Sequence, residues 1–274
     1  RAQAGNIGVT MMVAALGERG VSGFKAMGAG KPLVLLYGGE PRQLLAVIEA
    51  GALGQIRTGA ASGVATRYMA REDASSVGII GTGNQAITQL SAVCAVRAIK
   101  TIKAYSRTPE RREEFCRSMS DSLGIQVSPV SSAQEAIQGT DIAIAITNVR
   151  TLDPVLMGDW LEPGMHINAA GANSMARREL DDNAVTRCSI IAADAVDQAK
   201  IECADLVMPV NAGLLDWDKV LELGQVVTGR AAGRAAASDI TLFESQGIAL
   251  EDVAVAAHIF ERAKAESAGE ALPF

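Results

Sequence analysis

One short turn between two apolar stretches constrains the fold of this chain more than any other feature. The apolar run at residues 77–80 ends in Gly81-x-Gly83-x-x-Ala86, and apolar residues at helical spacing follow. The glycines permit a tight turn and close approach to the backbone, and the small third residue lets a helix pack on a strand. Free N–H groups at the start of such a helix bind anions. This order predicts a dinucleotide pyrophosphate site formed by Gly81, Thr82, Gly83, Asn84 and Gln85.

The next predicted strand, residues 102–105, indicates which dinucleotide is bound. An NAD site usually places Asp or Glu about twenty residues after the glycines, where the carboxylate accepts hydrogen bonds from the ribose 2′-hydroxyl. Ser106, Arg107 and Thr108 stand here instead, without an acid. A guanidinium between two hydroxyls suits a 2′-phosphate, so we expect NADP(H) to be preferred, with NAD(H) possible. The alternative is that Thr108 caps a helix beginning at Pro109 and that Arg107 is merely exposed.

Composition excludes several classes of partner. Of the 274 residues, 49% are hydrophobic and 20% are charged, and the formal net charge is −6. This charge, without a dense Lys/Arg stripe, argues against nucleic acid. No apolar run approaches the ~20 residues of a membrane span and no signal peptide opens the chain, so we expect no membrane partner and a cytoplasmic location. Four cysteines without a CxxC pair and two histidines predict no metal site.

Strand and helix patterns alternate with short connections from residue 75 to about 195. The predicted strands cover residues 77–80, 102–105, 125–128, 142–146, 166–169 and 189–193. The predicted helices cover residues 84–96, 109–122, 133–138 and 178–186. Alternation of this kind requires crossover connections, and hence a parallel sheet with helices on both faces. The fold class is therefore α/β, with a Rossmann-type, doubly wound parallel sheet.

The two ends of the chain have a different pattern. Strands are predicted at residues 9–15 and 33–37, and helices at residues 42–50, 58–71 and 251–264. We expect residues 1–73 and 248–274 to form a smaller, discontinuous α+β domain. Residues 74–247 then form the dinucleotide-binding domain. Because Arg1 is not preceded by Met and leads directly into strand-like sequence, we expect residues N-terminal to it to be missing.

Five motifs in order make the chain resemble the ornithine cyclodeaminase/mu-crystallin family of NAD(P)-dependent proteins over nearly its whole length. They are Arg57-Thr58-Gly59-Ala60-Ala61-Ser62-Gly63, Gly81-Thr82-Gly83-Asn84-Gln85-Ala86, Ile167-Asn168-Ala169-Ala170-Gly171-Ala172-Asn173, Arg178-Glu179-Leu180-Asp181 and Leu242-Phe243-Glu244-Ser245-Gln246-Gly247-Ile248-Ala249. The resemblance implies a Rossmann domain and a second domain, for substrate binding and dimerisation, built from the N-terminal part and a returning C-terminal helix. It also implies a homodimer that acts on a small amino or imino acid.

The resemblance assigns roles to four side chains. Lys25 matches a lysine that reaches the reacting amino acid, and Arg57 an arginine at the substrate and cofactor. Arg1 matches a second carboxylate-binding arginine. The chemistry is suitable, because a guanidinium binds a carboxylate through two parallel hydrogen bonds. Asn173 takes the place of an aspartate that transfers protons in cyclodeaminases, and an amide cannot ionise. The expected catalytic residues are thus Lys25, Arg57 and Asn173, and Arg1 joins the two cations in substrate binding.

The resemblance also implies cofactor contacts outside the glycine turn and the segment around Arg107. These lie in the Arg-Thr-Gly motif, at the ends of two strands and in the returning segment. The residues are Thr58, Thr147, Asn148, Asn168, Gly171, Ser245 and Gly247. A further polar group, comprising Gln198, Glu202 and Asp205, is interpreted as a solvated or inter-subunit face.

The expected function is that of an NADP(H)-dependent oxidoreductase acting on C–N bonds. It would reduce a ketimine or cyclic imino acid, such as pyrroline- or piperideine-2-carboxylate, or serve as an amino acid dehydrogenase on pyruvate and ammonia. The first alternative is ornithine cyclodeaminase, an ammonia lyase. The second is a protein that binds NADPH and a small ligand without rapid turnover.

Overall fold

The computed structural model describes residues 2–4, 8–28 and 30–273. The chain divides into two compact units, a small unit (Arg1–Arg57 and Ile248–Phe274) and a large unit (Thr58–Gly247). The sequence placed this boundary after residue 73. It falls instead inside the helix Gly51–Met69, since the later turns of that helix pack within the large unit, where Ala65 and Met69 share a core with Phe243.

The large unit alternates strands and helices as the sequence predicted. In chain order its elements are β6 (Ser76–Ile80), α2 (Asn84–Val96), β7 (Thr101–Tyr105), α3 (Pro109–Leu123), β8 (Val127–Pro129), α4 (Ala133–Ile137), β9 (Ile142–Ala145), β10 (His166–Ala169), α5 (Asp182–Thr186), β11 (Ile190–Ala193), α6 (Val196–Glu202), α7 (Ala204–Asn211), β12 (Val220–Glu222), α8 (Leu223–Val227) and β13 (Thr241–Glu244). The elements that precede them in the chain are β1 (Ala2–Ala4), β2 (Val9–Leu16), β3 (Val21–Met27), β4 (Leu33–Gly38), β5 (Gln43–Glu49) and α1 (Gly51–Met69).

The eight strands of the large unit form one sheet in the order β12-β11-β13-β10-β9-β6-β7-β8. Neighbouring strands are parallel throughout. The central strands β9, β10 and β13 are buried along their whole length, as expected of a parallel sheet covered on both faces. The strand order reverses at β6, since β7 lies on one side of it and β9 on the other. The predicted α/β fold class is confirmed.

The small unit is an antiparallel sheet with a helix packed on one face. Within the described residues it contains β1 (Ala2–Ala4), β2 (Val9–Leu16), β3 (Val21–Met27), β4 (Leu33–Gly38), β5 (Gln43–Glu49), the start of α1 (Gly51–Met69) and α9 (Ala249–Ala265). The strands follow one another in chain order. Val34 and Leu36 of the sheet pack against Val253 and Ala256 of α9. The C-terminal helix thus completes the core that the N-terminal strands begin.

Three predicted helices were wrong in whole or in part. The helix predicted at residues 58–71 begins at Gly51. Most of the helix predicted at residues 42–50 is instead the strand β5, which pairs with β4. A short apolar run of this length does not distinguish strand from helix. The helix predicted from residue 178 starts at Asp182, because the Asp181 side chain caps it by accepting a hydrogen bond from the Ala184 amide. Sequence periodicity also failed to predict six elements, which are β3, α6, α7, β12, α8 and β13.

Among the described residues, no helix has the length and apolarity needed to cross a membrane.

A buried polar network joins β10 to α1 and β13. His166 is fully buried, with Nδ1 2.9 Å from the Thr241 hydroxyl and Nε2 3.3 Å from the Asn168 side-chain oxygen. Asn168 in turn donates to the hydroxyl of Thr66 on α1. Burial, and next the positive charge of Arg234, lower the pKa of His166 to about 3. The imidazole is therefore neutral in the folded protein at ordinary pH.

This histidine makes the stability of the protein depend on pH. The unfolded chain protonates His166 below its ordinary pKa of 6.5, whereas the folded protein does so only near 3, so acidification through this range favours unfolding. Between about pH 7 and pH 5 we expect His166 to remove about 2 kcal/mol from the free energy of unfolding. Urea unfolding at pH 7 and pH 5 measures this decrease in the free energy of unfolding, and the decrease should be smaller in His166→Gln than in the wild type. The full decrease should remain in His258→Gln, which replaces the exposed histidine on α9. An unchanged loss in His166→Gln would contradict the assignment.

Candidate active site

The turn after β6 has a backbone that only glycine adopts without strain. Gly81 has a φ of +109°, and its amide donates to the carbonyl of Tyr105 at 2.8 Å. A Cβ atom at this position would lie 2.1 Å from the carbonyl oxygen of Ile146. The first glycine of the motif is thus required twice, by the left-handed φ and by the close approach to the chain after β9.

The start of α2 has the features of an anion site. Gly83 is the N-cap in an extended conformation, and no side chain caps this helix end. A Cβ atom at Gly83 would have no heavy atom within 4 Å, so the protein itself does not require glycine here. Asn84 and Gln85 are exposed, while Ala86 is buried against the sheet. These residues fit a pyrophosphate, which needs close access to the backbone amides at a helix N-terminus.

The segment after β7 lies beside this turn. The hydroxyl of Thr82 donates to the hydroxyl of Ser106 at 2.8 Å, linking the glycine turn to the predicted ribose-binding residues. Arg112, which the sequence analysis did not single out, donates to the carbonyl of Ser106 at 2.9 Å and lies 5.6 Å above the Tyr105 ring. In the sequence, Arg112 is marked only by the neighbouring Arg111 in the predicted helix α3. Arg112 therefore helps to fix the segment that carries Arg107.

Arg107 and Thr108 are both exposed. Thr108 is the N-cap of α3, and Pro109 is the first helical residue, as predicted. The hydroxyl of Thr108 makes no capping hydrogen bond, so its capping role is limited to the backbone. Arg107 follows the carboxyl end of β7, which is the position where the ribose of the adenosine half is recognised in this fold.

The loops after β9 and β10 carry four predicted site residues. Thr147 and Gly171 both donate backbone hydrogen bonds to the buried carboxylate of Glu179, at 2.6 and 2.7 Å. Asn148 and Asn173 are exposed. The motif containing Glu179 was recognised in the sequence, but the part played by its carboxylate was not.

Buried acids accumulate at this edge of the sheet. Burial raises the pKa of Glu179 and of Glu244, and the charge of neighbouring carboxylates raises the pKa of Glu244 further. Burial, and then the charge of Glu179, raise the pKa of Asp205 to about 7. The sequence predicts that Asp205 is part of a solvated or inter-subunit face. The structure corrects this, since Asp205 is fully buried and accepts hydrogen bonds from the amides of Glu179 and Leu180.

Three predicted cofactor residues have their side chains or amides engaged inside the large unit. Asn168 is fully buried and its side chain donates to the hydroxyl of Thr66, so this side chain offers no surface to a cofactor. The Ser245 hydroxyl and the Gly247 amide both donate to Asp194, at 3.4 and 2.6 Å. A further predicted residue, Thr58, is buried, and its carbonyl accepts from Gln89. Sequence spacing predicts that a residue lies at the end of a strand, but it does not predict the direction of its side chain.

The small unit contains a buried cluster of charges. Lys25 of β3 donates through Nζ to Asp252 Oδ1 at 3.0 Å, and Arg57 of α1 donates through Nε to the same oxygen at 3.1 Å. Arg57 Nη1 also donates to Glu251 at 2.7 Å. Arg1, the third predicted cation, lies outside the described residues. The structure therefore brings Lys25 and Arg57 together, as expected of two residues at one site.

Burying these charges costs free energy unless opposite charges compensate them. Lys25 and Arg57 are 5% and 9% exposed, and Asp252 is fully buried. Two carboxylates of α9 balance the two cations, which reduces the cost of removing these charges from water. The sequence analysis missed both acids, because Asp and Glu in the first turn of a helix are explained equally well by the helix dipole.

A doubly wound parallel sheet with a glycine turn where its strand order reverses defines a dinucleotide-binding domain. A sequence profile of the ornithine cyclodeaminase/mu-crystallin family matches residues 9–267. The chain belongs to this family, as its motifs indicated.

Relatives and solved structures agree with this assignment. A Δ1-pyrroline-2-carboxylate reductase of Bacillus cereus is 38% identical over 237 residues, covering 86% of this chain and 71% of the relative. The structure of a Thermococcus litoralis Δ1-pyrroline-2-carboxylate reductase with NADH and L-proline is 32% identical with a TM-score of 0.86, covering 96% of this chain and 89% of that one. An archaeal alanine dehydrogenase dimer with bound NAD is 32% identical with a TM-score of 0.90, covering 100% and 86%. The predicted class, an NAD(P)-dependent oxidoreductase of amino or imino acids, is confirmed.

A negative charge at Gly83, the N-cap of α2, should have opposite effects on the stability of the protein and on its affinity for the cofactor. In Gly83→Asp the new side chain caps the helix, so thermal unfolding should occur at an equal or higher temperature. Its negative charge repels the pyrophosphate, so the Kd for NADPH should rise by more than about tenfold. Gly83→Asn caps without charge and should have an intermediate Kd. Fluorescence titration and thermal unfolding measure both effects, and equal Kd values for the Asp and Asn variants would contradict an anion site here.

Proposed function

We propose that this protein reduces a cyclic imino acid of the Δ1-pyrroline-2-carboxylate class with NADPH. The observation that carries the proposal is the buried pair of cations, Lys25 and Arg57, held by Asp252 in the small unit. A substrate with an α-carboxylate and an imine nitrogen needs an anion-binding group and a proton donor. Arg57 and Lys25 are suited to these two tasks. The names of the pyrroline-2-carboxylate reductases among the relatives support the same substrate class.

The residues divide the chemistry between them. Two of the three guanidinium nitrogens of Arg57 bind carboxylates of α9, and we assign the third, Nη2, to the substrate carboxylate. Lys25 Nζ gives a proton to the imine nitrogen as the C=N bond becomes CH–NH. The reduced nicotinamide, when bound, supplies the hydride to the imine carbon. Asp252 holds Lys25 and Arg57 in position throughout.

Asn173 supports reduction over cyclodeamination. Conversion of ornithine to proline and ammonia requires oxidation, loss of ammonia, ring closure and reduction, and thus more proton transfers than one imine reduction. An amide at residue 173 cannot take part in them as an acid or base. The exposed side chain of Asn173 is suited instead to hydrogen bonding with the substrate or the cofactor.

One series of assays tests the proposed function. The purified protein is offered NADPH with Δ1-pyrroline-2-carboxylate or Δ1-piperideine-2-carboxylate, NADPH with pyruvate and ammonium, and L-ornithine with catalytic NAD(P). We expect NADPH oxidation to be fastest with a cyclic imine. Faster oxidation with pyruvate and ammonium would make the protein an amino acid dehydrogenase. Proline and ammonia from ornithine without net cofactor change would make it a cyclodeaminase, and no turnover in any assay would favour a binding protein.

Lys25 and Asp252 should affect turnover more than cofactor binding. Lys25→Met removes the proton donor and should lower kcat by about 100-fold or more. Asp252→Asn leaves the two cations with one carboxylate fewer, and should also lower kcat. Lys31→Met, at an exposed lysine of the same unit, is the matched control and should retain kcat. Steady-state kinetics measure these effects, with thermal unfolding to verify folding. Normal turnover in Lys25→Met would remove Lys25 from the mechanism.

The preference for NADPH is proposed to depend on Arg107. Loss of one charge-assisted hydrogen bond to the 2′-phosphate costs about 1.5–3 kcal/mol, so Arg107→Ala should raise the KM for NADPH roughly 10- to 100-fold. The KM for NADH should stay within about twofold, because that cofactor has a hydroxyl in place of the phosphate. Arg117→Ala, an exposed arginine further along α3, is the control. Equal changes for both cofactors would show that Arg107 does not read the 2′-phosphate.

We also propose that a second copy of the chain covers one face of the small unit's sheet. Val13, Phe24, Leu35 and Val47 are paired in register across β2 to β5 and form an apolar row on the face opposite Lys25 and Val34. Val13 is 71% exposed and Val47 is 41% exposed, which is unusual for a row of apolar residues facing water. The dimeric archaeal alanine dehydrogenase supports the same state.

Charge in this row should prevent association. Val13→Glu places a carboxylate on the apolar row at an exposed residue of β2, so the protein should elute as a monomer while remaining folded. Light scattering after size-exclusion chromatography measures the mass. Glu18→Gln, at an exposed residue beyond the end of β2, is the control. A dimer with unchanged stability in Val13→Glu would place the contact elsewhere.

A further inference from the structure

A single buried carboxylate joins two loops of the large unit. Glu179 Oε1 accepts hydrogen bonds from the amide and the hydroxyl of Thr147, at 2.6 and 2.7 Å. Its Oε2 accepts from the amide of Gly171 at 2.7 Å. Thr147 follows β9 and Gly171 follows β10, and these strands are parallel neighbours. One side chain therefore ties together the two adjacent loops that leave the carboxyl edge of the sheet.

The two loops touch at Gly171. A Cβ atom on this residue would lie 2.5 Å from Glu179 Oε1 and 2.5 Å from both the amide nitrogen and the carbonyl oxygen of Thr147. No larger residue fits without moving the loops apart. The absence of a side chain at residue 171 is thus what allows one carboxylate to reach both backbones.

A second carboxylate holds the first in place. Asp205 Oδ1, on α7, accepts hydrogen bonds from the amides of Glu179 and Leu180, both at 2.9 Å. The main chain that carries Glu179 is therefore anchored independently of its side chain. This arrangement gives the Glu179 carboxylate a position that does not depend only on the two loops it binds.

The position of these loops relates them to one half of a dinucleotide. The glycine turn follows β6, and the segment expected to recognise the adenosine ribose follows β7, on one side of β6. The strands β9 and β10 lie on the other side. A dinucleotide crosses the sheet edge where the strand order reverses, so its nicotinamide half lies over the loops after β9 and β10.

We propose that Glu179 is a positioning residue, whose carboxylate joins the Thr147 and Gly171 loops into one rigid surface that receives the nicotinamide half of the cofactor. The inference rests on the proposed function, since it requires a nicotinamide dinucleotide at this edge of the sheet. An ionised carboxylate is suited to this task because it only accepts hydrogen bonds, and all three partners are donors. A glutamine would turn its NH2 group towards at least one of these donors.

The test compares the whole cofactor with its adenosine half. Isothermal titration calorimetry would measure binding of NADPH and of 2′-phospho-ADP-ribose, which lacks only the nicotinamide, to the wild type and to Glu179→Gln. We expect the Kd for NADPH to rise about tenfold or more, because a buried charge-assisted contact is lost. The Kd for 2′-phospho-ADP-ribose should change by less than about twofold. Glu162→Gln, at an exposed acid between β9 and β10, should leave both values unchanged.

Each other outcome decides against the inference in a distinct way. Equal weakening of both ligands would show that Glu179 supports the unit as a whole, and unchanged binding of both would show that the loops do not need it. A wild type that binds neither ligand would overturn the proposed function and this inference together. Glu179→Asp, one methylene shorter and still charged, reaches only one loop and should reproduce the selective loss. It decides the question by the same criteria if Glu179→Gln does not fold.

Discussion

The parallel order of the large sheet is the constraint on which the rest of the structure depends. Because all its strands run in one direction, the loops that follow them leave from a single edge. The glycine turn, the segment carrying Arg107 and the loops of Thr147 and Gly171 are brought together there without any sequence proximity. The left-handed turn at Gly81 packs directly against the carbonyl of Ile146.

Buried carboxylates position functional groups in both units. In the small unit Asp252 binds Lys25 and Arg57, and in the large unit Glu179 binds the amides of Thr147 and Gly171. A carboxylate removed from water is costly, and each of these is compensated by cations or by several N–H donors. Such groups resist displacement, since moving them would leave a buried charge without partners. Rigid placement of Lys25 and of the loops after β9 and β10 follows from the same physical rule.

Periodicity predicted the large unit well as far as β11, but it missed the later elements of that unit and predicted the small unit poorly. Strands buried on both faces read as continuous apolar runs, so β6, β9 and β10 were located within a residue at each end. In the small unit β5 was predicted as a helix, and β3 was missed because Gly23 and Lys25 interrupt its apolar pattern. Lys25 breaks the pattern because it is a buried cation whose partner, Asp252, lies more than two hundred residues away in sequence.

The sequence by itself determined the fold class, the family and the location of the dinucleotide turn, because each depends on local order: an apolar run, two glycines and a helix in succession. Only the tertiary structure decided which side chains are available at the site. It buried Asn168 against Thr66, placed Asp252 beside Lys25 and made Glu179 the link between two loops. These outcomes depend on side-chain direction and on contacts between distant segments, and strand or helix periodicity contains no information about either.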